Sequence, residues 1–121
     1  MISTEGTRSV HWLRQRRAEI AARLRELTIE ERPLTRRLSR LDSTLKLAAY
    51  NDKANTNDKT REAAYKFSLT EDPDYLSTQQ ELDGIGDEKS KLQIEEDELR
   101  RELRIAEKDY EADRLGRRNA A

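Results

Sequence analysis

The chain has 121 residues, of which 34% are hydrophobic and 40% charged, with 24 basic side chains against 25 acidic ones. Ordinary globular domains carry about 45–50% apolar residues, so a thick core is excluded; what remains is a narrow seam between helices or an unfolded chain. Near balance of charge argues against the unfolded chain, because blocks of one sign are what keep a chain expanded. There is no cysteine, which removes disulfides and thiolate chemistry. No segment approaches the roughly 18 apolar residues of a membrane span, and nothing near Met1 reads as a signal peptide, so the expected location is the cytoplasm.

The first long segment carries the strongest pattern. Val10, Leu13, Arg17, Ile20, Leu24, Leu27, Glu31, Leu34, Leu38, Leu41, Leu45 and Ala48 follow one another in alternating steps of three and four. Only Arg17 and Glu31 interrupt the apolar series. An unbroken repeat of this kind places a thin apolar stripe on one helix face, the pattern of a coiled coil. Pro33 removes a backbone donor and crowds the carbonyl of Ile29. Thr28-Ile29-Glu30-Glu31 has the form of a capping box at which a helix could restart. The heptad phase nevertheless passes Pro33 without a slip, which favours one kinked, continuous helix over about residues 9–50.

Residues 51–72 read as a loop and a short helix. The loop is rich in Asn, Asp and Lys; the helix is expected from Asp58 to Ser68, capped by Asn57, with Ala63, Ala64 and Phe67 on its buried side. Asp72-Pro73 then opens a second long helix over about 73–115, Asp as cap and Pro in the first helical position. Its seam is Tyr75, Thr78, Leu82, Ile85, Lys89, Leu92, Glu96, Leu99, Leu103, Ala106, Tyr110 and Asp113. Gly84 and Gly86 mark either a hinge or a close approach of another backbone, and residues 116–121 form a fraying tail. Two seams of similar length joined by a connector of about two dozen residues fold back on each other more readily than they pack in parallel. The expected fold is therefore all-α: a single domain, an antiparallel coiled-coil hairpin with a short connector helix, self-associating.

Charge is unevenly distributed. Arg8, Arg14, Arg16, Arg17, Arg23 and Arg25 crowd the start of the first helix, opposed locally by Glu19, and an antiparallel hairpin sets them beside Arg114, Arg117 and Arg118. Seven acids and no Lys or Arg occupy residues 70–88. A candidate basic binding end thus comprises Arg8, Arg14, Arg16, Arg23, Arg25, Arg117 and Arg118, facing nucleic acid or an acidic protein surface; ordinary solvated faces are the plainer alternative. Among the polar seam residues, a hairpin register pairs Glu31 with Lys89, a register-setting pair unless both side chains reach out to water. Trp12, Ile29, Leu47, Ile94 and Ile105 lie off the seams and form the candidate oligomer or partner contact, against the alternative of scattered exposed apolar residues.

Catalytic and metal chemistry find little material. His11 is the sole histidine, so no histidine-based metal site can be assembled. The 52–58 segment lacks the glycine and terminal glutamate of a calcium loop, and the acids around Gly84 and Gly86 would repel a phosphate. No enzyme, cofactor, metal or small-molecule ligand is expected.

Asn57, Arg61, Leu69, Asp72, Pro73 and Tyr75, followed by heptads to about Ala106, resemble small helical-hairpin proteins of phages and mobile elements. The resemblance covers roughly residues 53–106 and excludes the Arg-rich first helix. It implies an accessory role near replication, recombination or counter-defence, exercised by binding, with Asn57 and Arg61 organising the connector. The leading functional expectation is a small adaptor or inhibitor that binds itself and another protein. The alternatives are a nucleic-acid accessory protein using the Arg-rich end and a structural or virion component.

Overall fold

The computed structural model describes residues 9–120, and side chains as far as Gly116. Three helices account for nearly all of it: α1 (Val10–Asn51), α2 (Asp58–Glu71) and α3 (Pro73–Ala120). No strand occurs among the described residues. The all-α class expected from the heptads is what forms, and the chain divides into two compact units.

The first unit joins α1 as far as Glu26 to α3 from Lys89 onward. Its core is Leu13, Ile20, Leu99 and Leu103, with Val10, Leu24 and Leu92 packed against them. Every one is a seam residue. Fully burying a Leu or Ile side chain is worth about 1.5–3 kcal/mol, so a few such layers supply most of the packing energy of a two-helix unit. The helices run antiparallel, because Arg14 meets Glu107 whereas Arg17, further along α1, meets Glu96, which comes earlier in α3. Ser9 starts α1: its hydroxyl accepts from Trp12 N–H at 3.0 Å and its carbonyl from Leu13 N–H.

The second unit, residues 27–88, holds the rest of α1, all of α2 and the start of α3. Leu27, Ala49 and Thr78 are its buried residues, Thr78 hiding its hydroxyl in a bond to the Asp74 carbonyl. Helix α2 runs antiparallel to α1, since Tyr50 meets Glu62 and Asp42 meets Tyr65. The start of α3 does the same, with Leu27 and Glu88, and Leu34 and Glu81, lining one shallow depression. Helices α2 and α3 are therefore successive segments of one return arm. The turn is only residues 52–57, closed by Asn55 Nδ2 donating to the Ala49 carbonyl and by Asp52 accepting from Ala54 N–H. The loop and short helix expected over 51–72 form as this turn followed by α2, which lies along α1.

Local chemistry explains the joints. Asn57 caps α2 reciprocally with Thr60. Asp72 does double duty: its backbone N–H closes α2 on the Ser68 carbonyl, and its carboxylate accepts from Tyr75 N–H to open α3. Helix α2 thus runs three residues past the expected Ser68. Its half-buried positions include Arg61, Ala64, Tyr65 and Ser68, so Ala64 faces in as expected whereas Phe67 and Ala63 face out, Phe67 being 66% exposed. Helix α1 passes through Pro33 without a break, leaving the Thr28–Glu31 capping motif unused. Both Pro33 and Ile29 are exposed, so water can serve the Ile29 carbonyl that lacks its helical donor. At the end of α1 the inward position is Ala49 rather than Ala48. Tyr110 and Asp113 are exposed, and α3 continues helical to Ala120 rather than ending at Leu115.

Gly84 and Gly86 lie within unbroken helix, and a Cβ added at either would meet nothing within 4 Å. The close-approach reading is overturned. Gly84→Ala and Gly86→Ala should each raise stability by about 1 kcal/mol through helix propensity alone, a gain that urea or thermal denaturation followed by circular dichroism will detect.

Candidate functional site

The N-terminal arginines are largely consumed within the fold. Arg16 grips Glu95 with a two-pronged contact, Nε to Oε2 at 2.6 Å and Nη2 to Oε1 at 2.8 Å, and also reaches Glu19 at 3.3 Å. Arg17 donates from Nε and Nη2 to Glu96, which Arg100 supports from its own helix. Arg14 pairs with Glu107 and Arg23 with Glu26. Arg14 and Glu107 flank the seam at matching e positions, and Arg16 and Glu95 at matching g positions, the pairing that antiparallel helices give. Arg14 and Arg16 therefore face acids of α3, and Arg14 also lies beside Arg114, with which it lines one shallow depression, as the sequence reading expected. Arg25 is exposed; Arg8 lies outside the described residues, as do the side chains of Arg117 and Arg118.

Arg17–Glu96 is a seam pair that the sequence reading left unmatched, although both residues were visible as polar interruptions. Glu96 is mostly buried, with a side chain 14% exposed. The Arg17 guanidinium, bonded to it, holds its carboxyl below the usual carboxylate range despite the opposing cost of burial. The bond to Glu96 likewise raises Arg17. Glu31 and Lys89, the other polar seam residues, are each half-buried, Glu31 in the second unit and Lys89 in the first.

A second polar cluster lies where α2 meets α1. Tyr65 OH donates to Asp42, a bond that together with burial pushes the phenol up to about 12. Tyr50 OH donates to Glu62 at 3.1 Å. The Lys46 ammonium sits 5.9 Å from the Tyr50 ring and 5.8 Å from the Tyr65 ring, within cation–π range. Arg61 bonds Asp58 in its own helix instead of the open carbonyls of α1. The cluster reads as the fastening of α2.

The side chains left over are elsewhere. Arg32, Arg36, Arg37 and Arg40 are exposed and have no acidic partner among the described residues, and no Asp or Glu separates them along the chain. Arg32, Arg36 and Arg40 recur every four residues, so they share the outward face of α1 with Ile29 and Leu47, which are 63% and 62% exposed. On the start of α3 the outward face presents Leu76, Asp83 and Asp87, the two acids likewise without a cationic partner. Trp12, Ile94 and Ile105 are exposed in the first unit. A run of four exposed arginines without acidic partners among the described residues thus lies in the middle of α1, which the sequence reading passed over in favour of the denser arginine run at its start. The available signal was the absence of any acid between Arg32 and Leu41.

Among the described residues no cluster of three or more His, Cys, Asp or Glu side chains is placed to hold a metal ion, and no helix is long and apolar enough to cross a membrane. No family model, curated protein or solved structure matches the chain.

The Arg17–Glu96 pair sets a pH dependence. A carboxyl whose folded value is depressed contributes stability above its unfolded value, near 4.5, and loses it as pH falls through the folded value. The parent should therefore weaken on acidification below about pH 4.5. Glu96→Gln should lower neutral-pH stability by about 1–3 kcal/mol, typical for losing hydrogen bonds to a charged group. It should also flatten that acid limb, as urea unfolding at stepped pH will report.

Proposed function

We propose that this chain is a small non-catalytic helical protein that binds protein surfaces, itself included, as an adaptor or inhibitor. The observation that carries the reading is a balance of apolar side chains. Among the described residues six hydrophobic ones are buried, whereas nine large ones are exposed, Trp12, Ile29, Leu47, Ile94 and Ile105 among them. Isolated exposed apolar residues are ordinary; a chain that exposes more large apolar side chains than it buries has surface to spare for a partner. Trp12 is the strongest anchor, since Trp buries the largest area per side chain and is enriched at contact centres. The likeness of residues 53–106 to phage and mobile-element hairpins agrees with a role exercised by occupancy, as inhibitor or as structural component. The cytoplasm is the setting that fits this role.

Nucleic-acid binding is the second reading, and its favoured site moves from the N-terminal arginines to Arg32, Arg36, Arg37 and Arg40, four neighbouring arginines without acidic partners among the described residues. Salt separates the two. Phosphate contacts make affinity fall steeply with salt, with a slope of about 0.9 per contact on duplex DNA.

Sedimentation equilibrium should show species heavier than the 14.2 kDa monomer at tens of micromolar, and Trp12→Ala should weaken a partner or self contact without loss of helicity. The parent should not retain duplex DNA at physiological salt. Salt-sensitive DNA binding abolished by changing Arg32, Arg36, Arg37 and Arg40 to Gln would promote the second reading.

A further inference from the structure

Two unpaired arginines of α1 and two unpaired aspartates of α3, each with a leucine, follow the same spacing in opposite chain directions. On α1, Arg36 and Arg40 are four residues apart and Leu47 follows seven later; on α3, Leu76 comes first, Asp83 follows seven later and Asp87 four after that. Separations of four, seven and eleven residues keep a set on one helix face, since each is close to a whole number of turns. All six side chains are exposed, and the four charged ones have no oppositely charged partner among the described residues. In one antiparallel register, Arg36 meets Asp87, Arg40 meets Asp83 and Leu47 meets Leu76. In sequence, Ile29 precedes Arg36 by the same seven residues by which Ile94 follows Asp87.

Within one chain these stripes cannot meet, because each faces away from the seam. We infer that a second copy of this chain supplies the match: the Arg36–Arg40–Leu47 stripe of α1 docks on the Leu76–Asp83–Asp87 stripe of another copy's α3. The inference rests on the self-association proposed above and specifies its surface. Opposite charges at matching spacing favour contact between the two stripes. Arg32 and Arg37 fall outside the matched set. The contact joins two different surfaces, so each added copy leaves one stripe of each kind unmatched, and association should proceed past the dimer unless a ring closes. Three helical turns are short against a standard interface, which places the association at roughly tens of micromolar and makes it salt-sensitive.

The test is a charge exchange in trans. In sedimentation velocity at about 100 µM and low salt, the parent should show mass rising with concentration. Arg36→Glu/Arg40→Glu and Asp83→Arg/Asp87→Arg should each associate at least about tenfold more weakly, because each confronts like charges across the contact. An equimolar mixture of the two should regain parental association, since every α1–α3 contact between unlike copies is again complementary. The sites are exposed, and unchanged far-UV circular dichroism confirms folding; should either fail it, Arg36→Gln/Arg40→Gln and Asp83→Asn/Asp87→Asn replace them, each then expected to weaken association. Variants that associate like the parent would overturn the stripe contact while leaving self-association standing. Weakened variants that the mixture does not rescue would overturn the pairing. A parent monomeric throughout would overturn both the inference and the self-association, and parental association abolished by nuclease would assign the arginines to nucleic acid.

Discussion

A helix that buries two residues in seven has almost no surplus, and the rest of this structure follows from that shortage. With Leu13, Ile20, Leu99 and Leu103 forming the buried core of the first unit, each layer lost is a large fraction of its packing. The charged flanks therefore become part of the fold. Arg16 on Glu95 lies along the edge of the narrow seam and Arg17 on Glu96 within it, their aliphatic stems covering the seam while their heads select one alignment of the two helices. A partly desolvated guanidinium–carboxylate pair contributes little net energy against an apolar replacement. Its contribution here is orientation: a parallel arrangement would remove the acids from in front of these arginines.

The seam was legible because it is a one-dimensional signal. Nearly every position from Val10 to Leu45 and from Tyr75 to Ala106 that the three-four repeat selects is buried or half-buried. The charges were not legible in the same way. A run of arginines in sequence says nothing about the acids brought to face it, and those come from about eighty residues away. Density of like charge pointed to the start of α1, where the fold neutralises it, and away from Arg32–Arg40, where it does not. The cap residues Asn57 and Asp72 were readable because caps act through their own neighbours. The inward face of α2 was not, because that depends on where α2 lies against α1, and Tyr65 rather than Phe67 makes the contact.

The two units handle the same ingredients differently. In the first, Arg14, Arg16 and Arg17 pair with Glu107, Glu95 and Glu96 from one helix to the other. In the second, aromatic hydroxyls bond the acids Asp42 and Glu62, Lys46 rests against tyrosine rings, and arginines on α1 and aspartates on α3 are left without partners.

Asp72 has a consequence for how the chain can vary in length. One residue terminates α2 and initiates α3, so no slack exists between them. An insertion there would turn α2 by about 100° relative to α3, the rotation of one residue in a helix of 3.6 per turn. That rotation would carry Tyr65 off Asp42 and empty the position facing Lys46. Residues 52–57, by contrast, are exposed or half-buried and satisfy their own turn, so they can absorb added residues with little loss. Among natural variants, length differences should accumulate on one side of α2 and be purged from the other.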